Sequence, residues 1–211
     1  IRYQLEKAVH LATHGRRGPV WIDIPLDVQA ATIDADMLRG YTPPAADGAT
    51  GAALAGECRK IVDMIAAAER PIILAGHGIR LAEAAPQFRA LYEALQIPVV
   101  TTWNATDLIA ADHPLSVGKP GVVALRAPNF AIQNSDLVIA IGARLDNVVT
   151  AHNPAKFGRA AKKIMVDVDP AELVHRLLDD LLDPGQVANI GDVHPARSAG
   201  LGQHLRRRGQ V

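Results

Sequence analysis

The sequence predicts an α/β protein built on a doubly wound parallel sheet of about six strands. From residue 52 onward, short and nearly continuous apolar runs alternate with helical patterns, and strands that are apolar on both faces need helices on both sides. Glycine and carboxylate clusters follow these runs, at the strand ends where sheets of this kind hold ligands. With 211 residues, 49% of them apolar, the chain can bury one full α/β core and has length to spare.

The chain opens on a helical stretch, residues 3–11, with Leu5, Ala8, Val9 and Ala12 on one face, broken by Gly15 and Gly18-Pro19. The mostly apolar run Val20-Trp21-Ile22-Asp23-Ile24 reads as a strand ended by Pro25. One helix and one strand cannot enclose a core, so residues 1–29 read as the tail of another domain. Small, polar and proline-rich residues 30–51 read as a linker, residues 52–205 as the main domain, and 206–211 as a tail. Within the main domain the expected order is helix 52–68, strand 72–75, helix 82–95, strand 99–102 and helix 122–133. Strands 137–141, 163–168 and 187–190 and a helix over 194–206 follow. Right-handed crossovers between parallel strands make this order a doubly wound sheet.

Charge and composition exclude several functions. The 22 basic residues cancel the 22 acidic ones, so no bulk field favours nucleic acid or an anionic membrane. Cys58 is the only cysteine, which rules out an internal disulfide and fits a cytoplasmic location. No run approaches the roughly 20 apolar residues of a membrane span, and Ile1 opens no signal-peptide pattern. His10 and His14 form the one i, i+4 histidine pair and have no third ligand nearby, so no metal site is expected. Ser116, Ser135 and Ser198 lie in no nucleophile-elbow pattern, and no Gly-Lys-Ser/Thr phosphate loop is present.

The strand ends carry the candidate chemistry. Gly76-His77-Gly78 follows the strand ending at Ala75 and is either a ligand-facing turn or a plain glycine turn. Leu81 stands where a third glycine would complete the dinucleotide fingerprint, and Thr101-Thr102 stand where that fingerprint places an acid. Gly142-Ala143-Arg144 offers a guanidinium beyond a buried strand, suited to a phosphate or, alternatively, paired with Asp146 on the surface. Asp167 ends the next strand and suits a ribose, whereas Asp169, Pro170 and Glu172 read as a helix cap. Gly191-Asp192 repeats the glycine–carboxylate pattern after the last strand.

Taken together these segments resemble thiamine-diphosphate-dependent enzymes of the acetolactate synthase type. The most specific piece is residues 18–29, from Gly18-Pro19-Val20-Trp21-Ile22-Asp23-Ile24-Pro25 to Gln29, which is similar to the end of the family's pyrimidine-binding domain. Arg70-Pro71-Ile72-Ile73-Leu74-Ala75-Gly76, Ile97-Pro98-Val99-Val100-Thr101-Thr102, Asp112-His113-Pro114-Leu115, Ser135 to Arg144 and Val166 to Glu172 follow in the family's order. The resemblance implies a Rossmann-like central domain, flanked in the full-length protein by two catalytic domains that bind thiamine diphosphate and magnesium. Decarboxylation of a small 2-oxo acid such as pyruvate, transfer of the remaining unit to an acceptor, and a homodimer or homotetramer are implied likewise. The family's catalytic glutamate and its Gly-Asp-Gly…Asn motif have no counterpart in these residues, so no catalytic or metal-ligating residue is assigned and the isolated chain is expected to be inactive.

Carried over position by position, the resemblance implies a site for FAD or another adenine nucleotide. Gly76, His77, Gly78, Thr101, Thr102, Gly118 and Gly121 would line it. Gly142, Ala143, Arg144 and Asp146 would meet the phosphates, Asp167 and Val168 the adenosine, and Gly191 and Asp192 the rim. The chain departs from the flavin pattern at Lys119-Pro120, where Met-His is usual, at Val148, where an arginine is usual, and at His77 and Trp103-Asn104. Two other readings compete with the central-domain reading: a stand-alone FAD or nucleotide-binding module without catalysis, and a structural spacer that contributes subunit contacts.

Overall fold

A computed structural model describes residues 1–45, 52–169, 171–172 and 187–189. The chain divides into two compact units, Ile1–Asp47 and Gly48–Val211. In the first, α1 (Arg2–Thr13) and the short α2 (Leu26–Ala30) are joined by residues without regular structure. Glu6 ties the later part of the unit to α1. Its carboxylate accepts the Tyr41 amide at 2.7 Å and bonds Arg2 at 2.8 Å, and these partners hold its pKa below the usual carboxylate range. Tyr41 also meets Tyr3 edge-on and His10 at a tilt, so residues inside the expected linker pack on α1.

The strand expected over residues 20–24 does not form. A half-buried strand needs a partner ladder, and no described segment supplies one. Trp21 accordingly stands 91% exposed.

The second unit is the parallel sheet. It begins with α3 (Ala52–Ala67), followed by β1 (Pro71–Ala75), α4 (Gly78–Leu81), α5 (Ala85–Leu95), β2 (Val99–Thr101) and β3 (Ser116–Gly118). Next come α6 (Arg126–Asn134), β4 (Leu137–Ile141), β5 (Lys162–Asp167) and β6 (Val187–Asn189). All five neighbouring pairs are parallel, in the order β3-β2-β1-β4-β5-β6. The fold class read from the sequence is therefore the one observed, and its strand order is that of dinucleotide-binding folds.

Further details differ from the sequence reading. The strand β3 is not among the expected elements. The helix expected over 82–95 starts only at Ala85, after the separate short α4, and Glu83 between the two takes a left-handed φ of 57°. The helix expected over 122–133 starts only at Arg126. The helix expected over 194–206 lies outside the described residues.

Period-two alternation sends successive side chains to opposite faces of the sheet. Ile72 and Leu74 of β1 join Val138, Ala140, Met165 and Ile132 of α6 in one core cluster. Ile73 and Ala75 join Leu137, Ile139, Phe88 and Tyr92 in the other, with Ile61, Met64 and Ile65 of α3 packed against it. Helices thus cover both faces. Cys58 is half-buried on α3, and burial raises its thiol pKa, which keeps it in the unreactive form.

At the amino edge of the sheet, Asp136 joins the entries to β1 and β4. Its two carboxylate oxygens accept the amides of Glu69 at 2.7 Å and Arg70 at 2.8 Å. Its own carbonyl accepts the Lys162 amide at 2.9 Å. The Glu69 amide bond, foremost, holds the Asp136 carboxyl below its ordinary pKa. The sheet is pinned at this edge.

Candidate functional site

From β1 the chain steps outward to β2 and β3 on one side, and β4, β5 and β6 continue the other. The strand order therefore reverses between β1 and β4, the position beside which open α/β sheets bind ligands. The loops that leave these two strands are Gly76-His77-Gly78 and Gly142-Ala143-Arg144, so the structure brings together two of the segments singled out from sequence.

They meet backbone to backbone. The Gly76 amide donates to Ile141 O at 2.9 Å, the Gly78 amide to Gly142 O at 3.0 Å and the Gly142 amide to Val166 O at 2.8 Å. A Cβ placed on Gly76 would lie 2.0 Å from Gly142 O, and one on Gly78 would lie 2.8 Å from Gly142 Cα. Gly142 itself has φ +54°, in the left-handed region. Close approach of one loop to the other is what the geometry of this turn displays. The glycine amides are spent on protein carbonyls.

The neighbouring segments are built the same way. Thr101 is buried, and the Thr102 amide donates to Ala75 O at 2.9 Å. His77 Nδ1 lies 2.9 Å from Asn104 O; a carbonyl only accepts, so Nδ1 carries the proton. Arg80 pairs with Asp107 at 2.6 Å, a second link to the 3-10 helix Trp103–Leu108. Lys119 sits 5.7 Å from the centre of the half-exposed Trp103 ring. Gly118, at φ +105°, has open space at its Cβ position except for Pro128 Cγ at 3.8 Å.

Gly121 is clamped by Asn129, which sequence reasoning missed. The Gly121 amide donates to Asn129 Oδ1 at 2.9 Å, and Asn129 Nδ2 donates back to Gly121 O at 3.1 Å. A Cβ on Gly121 would lie 2.1 Å from Val148 O, the same oxygen that accepts the Val122 amide at 3.0 Å. The loop after β3 is thereby locked to the loop after β4. Asp146 shapes that second loop by accepting the amides of Val148 and Val149, both at 2.9 Å.

The alternative pairing of Arg144 with Asp146 is replaced by a different one. Arg144 Nε donates to Glu172 Oε1 at 2.8 Å, and Nη2 donates to the same oxygen. Glu172 had been read from sequence only as part of a helix cap; its carboxylate reaches the arginine 28 residues earlier. The cap itself forms around Asp169, whose Oδ1 accepts the Ala171 amide at 2.9 Å and whose carbonyl accepts the Glu172 amide at 3.1 Å. Asp167 accepts the Asp169 amide at 2.9 Å, and Val168 is 36% exposed beside it. Gly191 and Asp192 lie outside the described residues.

Chemically, this edge can recognise an anion through side chains more readily than through backbone. The amides of Gly76, Gly78, Gly121 and Gly142 are satisfied internally, whereas the Arg144 side chain is half-exposed. No described group of three histidine, cysteine or carboxylate side chains could hold a metal ion. Among the described residues no helix is long and apolar enough to cross a membrane.

Comparison with known proteins agrees with this architecture. Residues 58–196 match the family model for the central domain of thiamine pyrophosphate enzymes. The probable acetolactate synthase large subunit of Methanocaldococcus jannaschii is 37% identical over 191 residues, covering 87% of this chain and 31% of that protein. The acetolactate synthase large subunit of Corynebacterium glutamicum is 39% identical over 178 residues, 82% of this chain and 27% of the relative. The isozyme 2 large subunit of Escherichia coli is 33% identical over 203 residues, 95% of this chain and 35% of the relative. The chain thus spans about a third of the length of these relatives.

Proposed function

The chain belongs to the thiamine pyrophosphate enzyme family through its central domain, and from that premise we propose that it serves a 2-oxo-acid decarboxylase or carboligase of the acetolactate synthase type. The observation that carries this reading is the concurrence of the family match with a sheet whose order reverses between β1 and β4. The whole protein would supply thiamine diphosphate chemistry from flanking domains, with magnesium, in a cytoplasmic homodimer or homotetramer. The described residues contain no metal-binding group, and no step of that chemistry is assigned to them.

The part assigned to this chain is a nucleotide site on the carboxyl edge, for FAD or another adenine nucleotide. Arg144 would hold the diphosphate, since it is a half-exposed cation in the loop that leaves β4 at the strand-order reversal. Asp167 and Val168 would face the adenosine from the next strand, one position further along the same edge. Gly76, Gly78, Gly121 and Gly142 act indirectly, by letting the loops approach closely enough to present Arg144. FAD supplies no net redox turnover in carboligation, so its place here would be structural.

Two measurements test the reading. Calorimetric titration of the 211-residue chain with FAD, ADP and coenzyme A should show binding, weakened by Arg144→Ala by on the order of 1.5–3 kcal/mol, the scale of a hydrogen bond to a charged group. Tight binding indifferent to Arg144→Ala would defeat the site, and no binding of any of the three would favour the spacer reading. With thiamine diphosphate, magnesium and pyruvate added, the same chain should release no carbon dioxide above a buffer blank, because proximity of groups on separate domains makes such chemistry fast. Release abolished by a substitution within the chain would show that it carries an active site of its own.

A further inference from the structure

Arg144 leaves β4 between two buried residues, Ala143 and Leu145, each 1% exposed, and these fix its backbone while the side chain points away from the core. Its partner Glu172 is the more buried of the two: the side chains are 51% and 10% exposed, respectively. A buried carboxylate cannot swing into solvent to release its arginine without leaving a favourable pairing behind. Glu172 is also held from its own side, because its amide donates to Asp169 O and the Asp169 carboxylate caps the same turn.

The two hydrogen bonds use one edge of the guanidinium. Nε and Nη2 both donate to Glu172 Oε1, and the opposite edge, formed by Nη1 and the second Nη2 hydrogen, has no described partner. That edge is the one whose parallel N–H bonds match two oxygens of a phosphate. An arginine fixed in this way before a ligand arrives loses less side-chain freedom on binding than a free one.

Resting on the nucleotide reading above, we infer that Glu172 is a positioning residue: it holds the Nε edge of Arg144 so that the Nη edge stands ready for a bidentate phosphate. The ligand class is a diphosphate-bearing molecule, and recognition is shared between a group that touches it and a buried carboxylate that does not. The amides of Gly76, Gly78 and Gly142 are already committed to carbonyls, so the orientation of the Arg144 side chain bears directly on phosphate affinity.

The test titrates the 211-residue chain and its Glu172→Gln, Arg144→Lys and Arg144→Ala variants, with the Arg144→Ala/Glu172→Gln pair, against ADP, inorganic pyrophosphate and adenosine. Glutamine keeps the shape of Glu172 and removes its charge. It should weaken ADP and pyrophosphate roughly tenfold, the lower end of what partners of ligating side chains are worth, and leave adenosine unchanged. Arg144→Lys, which keeps Glu172 and the charge but loses the fork, should weaken the same two ligands. The double variant should bind no more weakly than Arg144→Ala alone, since the carboxylate acts only through the arginine. Glu172→Gln binding ADP as tightly as or more tightly than the parent would overturn the inference, and so would an equal loss for adenosine. If the parent binds neither ADP nor pyrophosphate, the nucleotide reading itself falls, an outcome distinct from binding that ignores Glu172.

Discussion

Replacing Gly76 with alanine should destabilise the chain by about 3 kcal/mol or more, at or beyond the upper end of ordinary overpacking. The added methyl would stand 2.0 Å from Gly142 O and 2.3 Å from Ala143 Cα. Both are backbone atoms, so no rotamer change relieves the clash. Either β1 or β4 must shift where Ala75 pairs with Ile141, and that movement breaks the Gly76 amide bond to Ile141 O. Gly56→Ala in α3 is the natural control. Its Cβ position meets nothing within 4 Å, so the same change there should stabilise by about 0.4–1 kcal/mol through helix propensity and loss of unfolded-state freedom. Urea denaturation of the two variants decides the matter. Gly76→Ala within about 1 kcal/mol of the parent, less than the usual cost of overpacking, would show that the loops are not locked as described.

The clash also explains which parts of the molecule could be read from the sequence. The strands β1 and β4 were legible because each is an unbroken apolar run next to a helical pattern, and β5 because Ile164-Met165-Val166 gives it an apolar centre. β3 was not, since Ser116-Val117-Gly118 holds one large apolar residue and its strand is only half-buried. The opposite error occurred at residues 20–24, where Asp23 alone interrupts an apolar, β-branched and aromatic run. Pairing makes a strand, and composition records only that a partner would fit.

At the site, residue types were legible and their partners were not. Gly76 and Gly78 read from sequence as a turn that either faces a ligand or is a plain glycine turn, yet what approaches them is the backbone of the loop at Gly142, some 66 residues away in sequence. Arg144 reads from sequence either as a phosphate-type cation or as a surface partner of Asp146, but Asp146 is consumed by the amides of Val148 and Val149. Glu172 lay hidden inside a capping pattern that accounted for it locally. Local rules assign each polar residue to its nearest satisfactory partner, and the tertiary fold reassigns those whose strands end side by side.

Asn129→Ala should cost about 2–4 kcal/mol, because it strips a hydrogen bond from both the amide and the carbonyl of a buried glycine, and each buried group left unpaired costs about 1–3 kcal/mol. Gly121 has no freedom to find new partners by turning: its φ is +117°, and Val148 O fills the space at its Cβ position. Amide hydrogen exchange separates this effect from general loss of stability. The Gly121 amide is held by Asn129 alone, whereas the next amide, Val122, donates to Val148 O at 3.0 Å. In the variant Gly121 should therefore become the faster exchanger, with Val122 protected until the two loops separate. Equal acceleration at both positions would mean that Asn129 supports the whole of the loop. An unchanged urea midpoint would mean that water replaces both bonds at no cost. On the nucleotide reading proposed above, in which Gly118 and Gly121 line the site, nucleotide affinity should fall together with Gly121 protection, even where the sheet itself stays folded.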